Sequence, residues 1–463
     1  MTASRVTLLG AVDEVTGSGT LIDTGDRRIL VDLGLVQGSP EAAQRNATLP
    51  DIDLRWLDAV ALTHVHVDHC GRLPMLMRSG WAGSLYCSEP TADLLPMVLK
   101  GSARLQRIKH QEWSDHRNRG IAVKGDAPPP VLYTAGEVDA LLDRVIPVPM
   151  QTSVDLGAGV RLRVQRAGHI LGAASVQVLT RDASVVCSGD LGRCGMPPTP
   201  DPTPCPTADL VVMESTYGDR ERHAIDDVSG ALAHLLAKVR LRGGPLVIPT
   251  FAIGRTQQLL HVLGSLSRAG ALDMNVYLDS AMAARATQSH AHWPSELHAD
   301  SAVDLHDPLH FESLFMLMSR RESKRLQDIA GPAVIMAGNG FGEGGPILRH
   351  LARWLPDPTA TILLTGHCLD GTLVGHLAGD PPFAFIDGIK VLVQAHIDLL
   401  DAFSGHADAA GLASWLLPGA QNATVLLNHG EADARAALAQ RLQGLGITVR
   451  RPELGQAVEV IRS

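Results

Sequence analysis

Residues 63–69 read Thr63-His64-Val65-His66-Val67-Asp68-His69, directly after the apolar run Ala59-Val60-Ala61-Leu62. Imidazole nitrogens and a carboxylate are the ligand types that hold Zn²⁺, and four of them fall here in the segment His64 to His69 at the end of an expected buried strand. Side chains two apart on an extended segment share a face, so His64 and His66 point to one ion. Asp68 and His69 lie one turn further on and reach towards a second. A histidine-rich surface loop, or a single structural metal, is the plainer reading, and matching residues downstream weigh against both.

Those residues are His169 in AGHILGAAS, Asp190 in SGDLGR, Glu214 in ESTYGDR, His406 in FSGHAD and His429 in LLNHGE. Asp32 in LVDLG, the stretch VTGSGT and the stretch PTFAIGRTQQLL accompany them. Together they resemble the metallo-β-lactamase superfamily and, within it, the β-CASP group of nucleic-acid-processing enzymes, the bacterial and archaeal relatives of the pre-mRNA 3′-end cleavage subunit. The resemblance runs from about Gly10 to about Glu431. It implies an α/β chain: an αββα metallo-β-lactamase sandwich with an inserted αβ β-CASP domain. The expected division is 1–216 for the first part of the sandwich, 217–387 for the insert and 388–463 for the completion of the sandwich.

Two Zn²⁺ ions are the implied cofactors. His64, His66 and His169 are assigned to one, and Asp68, His69 and His429 to the other. Asp190 bridges them, since a carboxylate has two oxygens to share. His406 is the candidate general acid, because imidazole titrates near neutral pH. Glu214 pairs with it to hold its tautomer and raise its pKa. Asp32 is expected to orient a ligating imidazole; the plain alternative is a turn residue after a strand. Asp68 and Asp32 are counted with His406 and Glu214 in the catalytic group. Arg255, Ser280, Asn339 and Gly340 are candidate phosphate-binding groups of the insert, the last two in a glycine-rich loop; each reads equally well as a turn or cap.

Composition excludes several classes. Apolar residues make up 45% and charged residues 19% of the 463 positions, as in ordinary globular proteins. No apolar run reaches the length of a membrane span, and Asp13 and Glu14 interrupt the N-terminal apolar stretch before a signal-peptide core is complete. The six cysteines are scattered without a CxxC pair, which points to a reducing cytosol. The net charge of −9 argues against broad electrostatic gripping of nucleic acid. The stretch Lys100 to Lys124, with Arg104, Arg107, Lys109, Arg117 and Arg119, reads either as a local basic groove or as a solvated helix face.

Apolar runs at Val6–Leu9, Arg28–Val31, Ala59–Leu62, Val160–Gln165, Ser175–Leu179, Val185–Cys187 and Leu210–Met213 predict strands. Thr134-Ala-Gly-Glu137 predicts a capping box opening a helix through Leu142. From about Tyr217, strands at Leu246–Ile248, Val276–Leu278, Val334–Met336 and Thr361–Leu364 alternate with helices, the pattern of a parallel sheet. Four departures from the group's usual motifs fall in this half: Pro346 where a basic residue is expected, Ala281 after Ser280, His367 in place of an aromatic, and Gln258 in place of a glutamate.

The function these features predict is zinc-dependent hydrolysis of single-stranded RNA, endonucleolytic with an exonucleolytic mode open to the same site. A hydrolase of DNA or of a small phosphodiester or ester is the alternative, and an inactive RNA-binding scaffold a third. No membrane partner is expected; monomer and homodimer both stay open.

Overall fold

The computed structural model describes the chain except residues 1–3, 40, 120–127, 222–227, 299–307, 343, 367, 369–370, 401–402 and 463. His367 and Lys124 therefore lie outside the described residues. The chain forms two compact units. The first comprises 1–194, 201–221 and 406–463, and the second 195–200 and 222–405.

Two seven-stranded sheets, counted among the described residues, build the first unit. One contains Arg5–Leu8, Thr20–Asp23, Arg28–Val31, Ala59–Ala61, Ser84–Ser88 and Val145–Val148, with Ala457–Glu459 beside Arg5–Leu8. The other runs from Ser153–Gly157 through Val160–Arg166, Ala174–Leu179, Ser184–Cys187, Leu210–Glu214 and Thr424–Asn428 to Thr448–Arg450. Inward-facing residues of both sheets, such as Ile22, Ile29 and Ala61 against Val164, Val176 and Leu426, share one buried cluster. The sheets therefore pack face to face, as the expected sandwich requires. Strand Thr424–Asn428 pairs in parallel with Leu210–Glu214, so the end of the chain completes the sheet begun before the second unit. The predicted capping box is present: Thr134 Oγ1 accepts from Glu137 N, and the Glu137 carboxylate accepts from Thr134 N.

A six-stranded parallel sheet forms the centre of the second unit, in the order Leu314–Met316, Val276–Asp279, Val334–Gly338, Leu246–Thr250, Thr361–Thr365, His396–Leu400. Alternate residues of its strands enter opposite cores. Leu246, Ile248, Val334 and Met336 pack under helices Val228–Arg242 and Arg255–Arg268, while Val247, Ile335 and Ile362 pack under helix Pro346–Trp354. The segment after 388, expected with the sandwich, joins this unit instead. Ile389–Leu392 pairs with Phe383–Ile386, and His396–Leu400 adds to the parallel sheet. The chain returns to the first unit at His406.

Candidate metal centre and acid–base pair

Asp32, His64, Asp190, Glu214 and His429 each sit at or just past the end of a strand. Strand Arg28–Val31 ends at Asp32, whose φ of 62° is tolerated by a short polar side chain. Strand Ala59–Ala61 leads into His64 and His66, and His66 caps the short helix Val67–Cys70 that carries Asp68 and His69. Gly34 makes this arrangement possible. A Cβ on Gly34 would lie 1.5 Å from the Asp68 carbonyl oxygen and 2.6 Å from His69 N. His169 lies in the turn between Val160–Arg166 and Ala174–Leu179, and Asp190 follows Ser184–Cys187. Glu214 ends its strand, and His429 follows Asn428 with φ 47°.

The side chains converge in two groups. His64 Nε2 lies 3.1 Å from His66 Nδ1, and His169 Nε2 lies 3.2 Å from the same atom. Asp190 Oδ2 is 3.5 Å from His64 Nε2 and 3.6 Å from His169 Nε2. In the second group His69 Nε2 lies 3.2 Å from His429 Nε2, with Asp68 Oδ2 at 3.9 and 3.7 Å from those two nitrogens. Asp190 Oδ1 is 3.2 Å from His69 Nε2 and 3.6 Å from His429 Nε2. The two oxygens of Asp190 thus face one group each. Two donors on one tetrahedral ion at ~2.0 Å stand about 3.3 Å apart, so the clustered nitrogens have the spacing of ligands. Asp190 Oδ1 is buried without a hydrogen-bond partner, which fits an atom kept for an ion. The donor set therefore fits divalent metal ions.

The electrostatics favour the metal-binding forms of Asp68, Asp190 and His64. Burial opposes ionisation of Asp68, but its bond with His429 and the neighbouring His69 outweigh it and hold the carboxyl at about 2. Burial also opposes ionisation of Asp190, and the surrounding histidines, His429 and His69 first, pull it well below the usual carboxylate range. Burial keeps His64 neutral by pushing its pKa well down. Ionised carboxylates and neutral imidazoles are the forms that bind metal. His69 is the exception: burial lowers its pKa, but Asp190 and Asp32 overcome this and raise it well above the usual imidazole value, so an ion bound there displaces the proton on Nε2.

Asp32 supports this group from behind. Its Oδ2 lies 2.7 Å from His69 Nδ1 and accepts from Thr63 Oγ1 at 2.8 Å, while Oδ1 accepts from Thr63 N at 2.8 Å. His69 Nδ1 therefore carries its proton towards Asp32, leaving Nε2 free to ligate. Thr63 and Thr216 were not singled out in the sequence. Thr63 Oγ1 lies 3.1 Å from His64 Nδ1, and Thr216 Oγ1 lies 3.2 Å from His429 Nδ1. Their only signal is position: Thr63 opens the histidine segment, and Thr216 lies two residues after Glu214.

His406 stands beside the cluster. Its Nδ1 is 3.1 Å from both oxygens of Glu214, and its Nε2 is 3.8 Å from Asp190 Oδ2. Glu214 is itself fixed, accepting from Leu191 N at 2.5 Å. Burial lowers the His406 pKa, but the charges of Glu214 and Asp190 overcome it and raise it to about 8. Asp190, Glu214 and His406 also offer three donor atoms within 4.8 Å of one another, a third grouping that could take an ion.

Three family profiles match the chain: the metallo-β-lactamase superfamily over 12–247, the Beta-Casp domain over 256–377, within the second unit, and the Zn-dependent metallo-hydrolase RNA specificity domain over 390–452. The chain is 34% identical to Ribonuclease TTHA0252 of Thermus thermophilus over 98% of its own length and 100% of that protein. The chain belongs to the metallo-β-lactamase superfamily, in its β-CASP branch. Transcription termination factor FttA of Methanocaldococcus jannaschii is 28% identical over 92% of this chain and 67% of that protein. A crystal structure of a protein of unknown function from Enterococcus faecalis V583 shares the fold, with a TM-score of 0.54 at 14% identity over 99% of this chain and 100% of that one. Metallo-β-lactamase-type sites bind divalent metal, and the clusters described above are where this chain can hold it.

The four candidates of the β-CASP half gather separately, at the C-terminal ends of three neighbouring strands of the second unit. Ser280 caps helix Ala281–Ser289, its Oγ accepting from Ala283 N at 3.2 Å. Arg255 Nε donates to the Phe403 carbonyl at 3.2 Å. Asn339 has φ 91° and its Oδ1 accepts from Phe341 N at 3.1 Å. Gly340 leaves room for the Phe251 ring, which a Cβ would approach to 2.7 Å. Each thus has a local structural role. Pro346 occupies the first position of its helix, where a missing N–H costs nothing.

Proposed function

We propose that this β-CASP protein is a metal-dependent ribonuclease that hydrolyses phosphodiester bonds of single-stranded RNA, with two zinc ions as cofactors. His64, His66 and His169 would hold one ion and Asp68, His69 and His429 the other, with Asp190 shared. The observation that carries the reading is the convergence of seven donors into two groups joined through Asp190, with the His406–Glu214 pair alongside. When bound, the ions supply Lewis acidity to the phosphate and to an attacking water. The protein's own groups do the rest. Glu214 holds the Nδ1 proton of His406, so that Nε2, the nitrogen facing Asp190, carries the proton for the departing oxygen. Asp32 keeps the His69 proton on Nδ1.

RNA as substrate rests on the ribonuclease and termination-factor relatives and on the RNA-specificity match. Endonucleolytic cleavage is proposed as the main mode, with exonucleolytic trimming by the same site. Six free cysteines suit a reducing compartment, so cytosolic residence is part of the proposal. No helix among the described residues is long and apolar enough to cross a membrane. The test is incubation with labelled RNA, single-stranded DNA and duplex DNA, with and without chelator. Chelator-sensitive cleavage of RNA alone is expected. Brisk hydrolysis of a small phosphodiester with no cutting of RNA would instead favour the small-substrate reading, which the net charge of −9 and Pro346 support. Light scattering decides between monomer and homodimer.

A further inference from the structure

The long helix Glu89–Asn118 has two halves of different character. Its first half is core: Leu94, Leu95, Val98, Leu99 and Ala103 are buried. Its start is tied to the turn that carries His169, because Ser88 Oγ and Thr91 Oγ1 donate to the Gly172 carbonyl at 2.6 and 2.9 Å. Beyond Ala103 the helix surfaces, and Arg104, Arg107, Lys109 and Arg117 are exposed, as is Arg119 just past its end. From Arg104 to Arg119 five Lys and Arg side chains accompany only two carboxylates, Glu112 and Asp115, in a chain whose net charge is −9.

These cations are not neutralised internally. Among the described residues, Arg104, Arg107, Lys109 and Arg119 have no carboxylate within ion-pair distance, whereas nearby Arg78 and Lys100 pair with Glu137 and Asp139. A solvated helix face is usually laced with opposite charges three or four residues apart; here Lys109–Glu112 and Asp115–Arg119 have that spacing, but neither pair is in ion-pair contact, and Arg104 and Arg107 have no carboxylate at that spacing. A run of unpaired cations repels itself and calls for an anionic partner.

We propose that Arg104–Arg119 binds backbone phosphates of the RNA substrate away from the catalytic centre. The inference rests on the ribonuclease reading and adds to it a second contact surface. A phosphate chain fits better than an anionic lipid surface. A membrane-surface helix needs a continuous apolar face, and on this half the large exposed apolar side chains are Leu105 and Ile108. Trp113 is half-buried, with the Arg117 guanidinium 5.5 Å from its ring centre. The helix rises 1.5 Å per residue, so Arg104 stands about 20 Å and Arg117 about 40 Å along it from Thr91. Only an RNA that extends well beyond the cleaved bond reaches this surface.

The test compares the metal-loaded wild type with the triple variant Arg104→Ala, Arg107→Ala, Lys109→Ala. Kinetics are measured on a long unstructured RNA, a dinucleotide and bis(p-nitrophenyl) phosphate over a series of salt concentrations. Each single-strand phosphate contact contributes about 0.7 to the salt slope, so the variant's slope on long RNA should fall by about 2, with KM raised about tenfold or more at ~0.1 M salt. The kcat, the dinucleotide and small-substrate kinetics, and the circular dichroism should not change. An unchanged KM and slope on long RNA overturns the inference. So does an equal loss on the dinucleotide, which would mean damage to the catalytic centre. If the variant loses only binding to phosphatidylserine vesicles, the helix belongs to a lipid surface and the inference also falls. Filter binding of the long RNA reads the same contacts without cleavage. If the wild type fails to cut RNA, the ribonuclease reading fails, while this binding comparison still decides whether the helix holds RNA.

Discussion

Asp32→Asn changes one atom of the site and should cost it one metal ion. Asp32 is buried, and all three of its neighbours use its oxygens as acceptors: Thr63 N at 2.8 Å on Oδ1, and Thr63 Oγ1 at 2.8 Å and His69 Nδ1 at 2.7 Å on Oδ2. An asparagine has one acceptor and one donor to offer. If its carbonyl faces Thr63 N, its NH₂ faces His69 Nδ1 and drives the imidazole proton to Nε2. That is the atom 3.2 Å from both Asp190 Oδ1 and His429 Nε2, and a protonated nitrogen cannot ligate. If the amide flips, two donors meet at Thr63 N, a buried mismatch of about 1–3 kcal/mol. Either route weakens metal retention by roughly 5- to 150-fold, which overlaps the usual 10–100-fold effect of removing a partner behind a ligand. The assay is elemental analysis after dialysis against graded chelator, paired with RNA cleavage as zinc is added back. The variant should retain the ion of the His64–His66–His169 group, lose the other first, and recover activity in excess zinc. Retention of both ions at wild-type affinity would refute the tautomer argument. Loss of both together, with an unchanged urea midpoint, would refute the assignment of Asp32 to the His69 group alone.

Elemental analysis of the wild type should find close to two zinc ions per chain; one tight ion, with no second taken up on adding zinc, would sink the dinuclear reading. His406→Ala should keep its metal and slow cleavage by about 10²–10⁴-fold, the scale of general acid catalysis, whereas Asp190→Ala should lose both metal and activity. If His406→Ala is stripped of metal, the grouping of Asp190, Glu214 and His406 is a ligand set instead. The His406 pKa is raised to about 8, with burial opposed by Glu214 and Asp190, so the acid form persists through neutral pH and is lost as pH rises through that value. Glu214→Gln removes the larger raising charge, so the alkaline limb of the kcat profile should move to lower pH. An unmoved limb would separate the pair from the proton transfer.

How much of this was legible in the sequence depended on whether a signal was local. The spacing of His64 and His66 placed them towards one ion, and their nitrogens do meet, although through Nε2 of one and Nδ1 of the other. Apolar runs located half of the strands of each unit, because alternate residues enter a core on each face, as Val247 and Ile248 do. Thr63 and Thr216 carried no signal, since a hydroxyl that orients a histidine looks like any other threonine until the backbone brings it within 3.1–3.2 Å. Only the second half of the long helix Glu89–Asn118 reads as helical in the sequence, as one of two alternatives; its first half contains Pro96 and Gly101, which are tolerated where core contacts hold it. The segment after 388 was misplaced for a different reason. Ile389–Leu392 has its strand partner in the neighbouring Phe383–Ile386, and His396–Leu400 extends the sheet next to Thr361–Thr365, pairings that its own sequence does not announce.

The fold explains why so many charged and polar groups can be buried in one place. Asp32, His64, Asp190 and His429 come from four different strand ends, and the backbones of Asp32 and His429 are fixed by bonds independent of the site: Asp32 N to Ala61 O at 2.9 Å, Ser215 N to His429 O at 3.0 Å, and His429 N to Ala11 O at 2.8 Å. Burying two carboxylates among five imidazoles without ions is unfavourable, because desolvation is only partly offset by hydrogen bonds. The sandwich supplies that offset in advance through its strand pairing, and bound metal would return it as stability. The metal-loaded protein should therefore unfold at a higher temperature than the chelated one, and the difference should shrink in Asp190→Ala, which removes the group common to both sites. An equal gain in Asp190→Ala and wild type would place the stabilising ion somewhere other than this cluster.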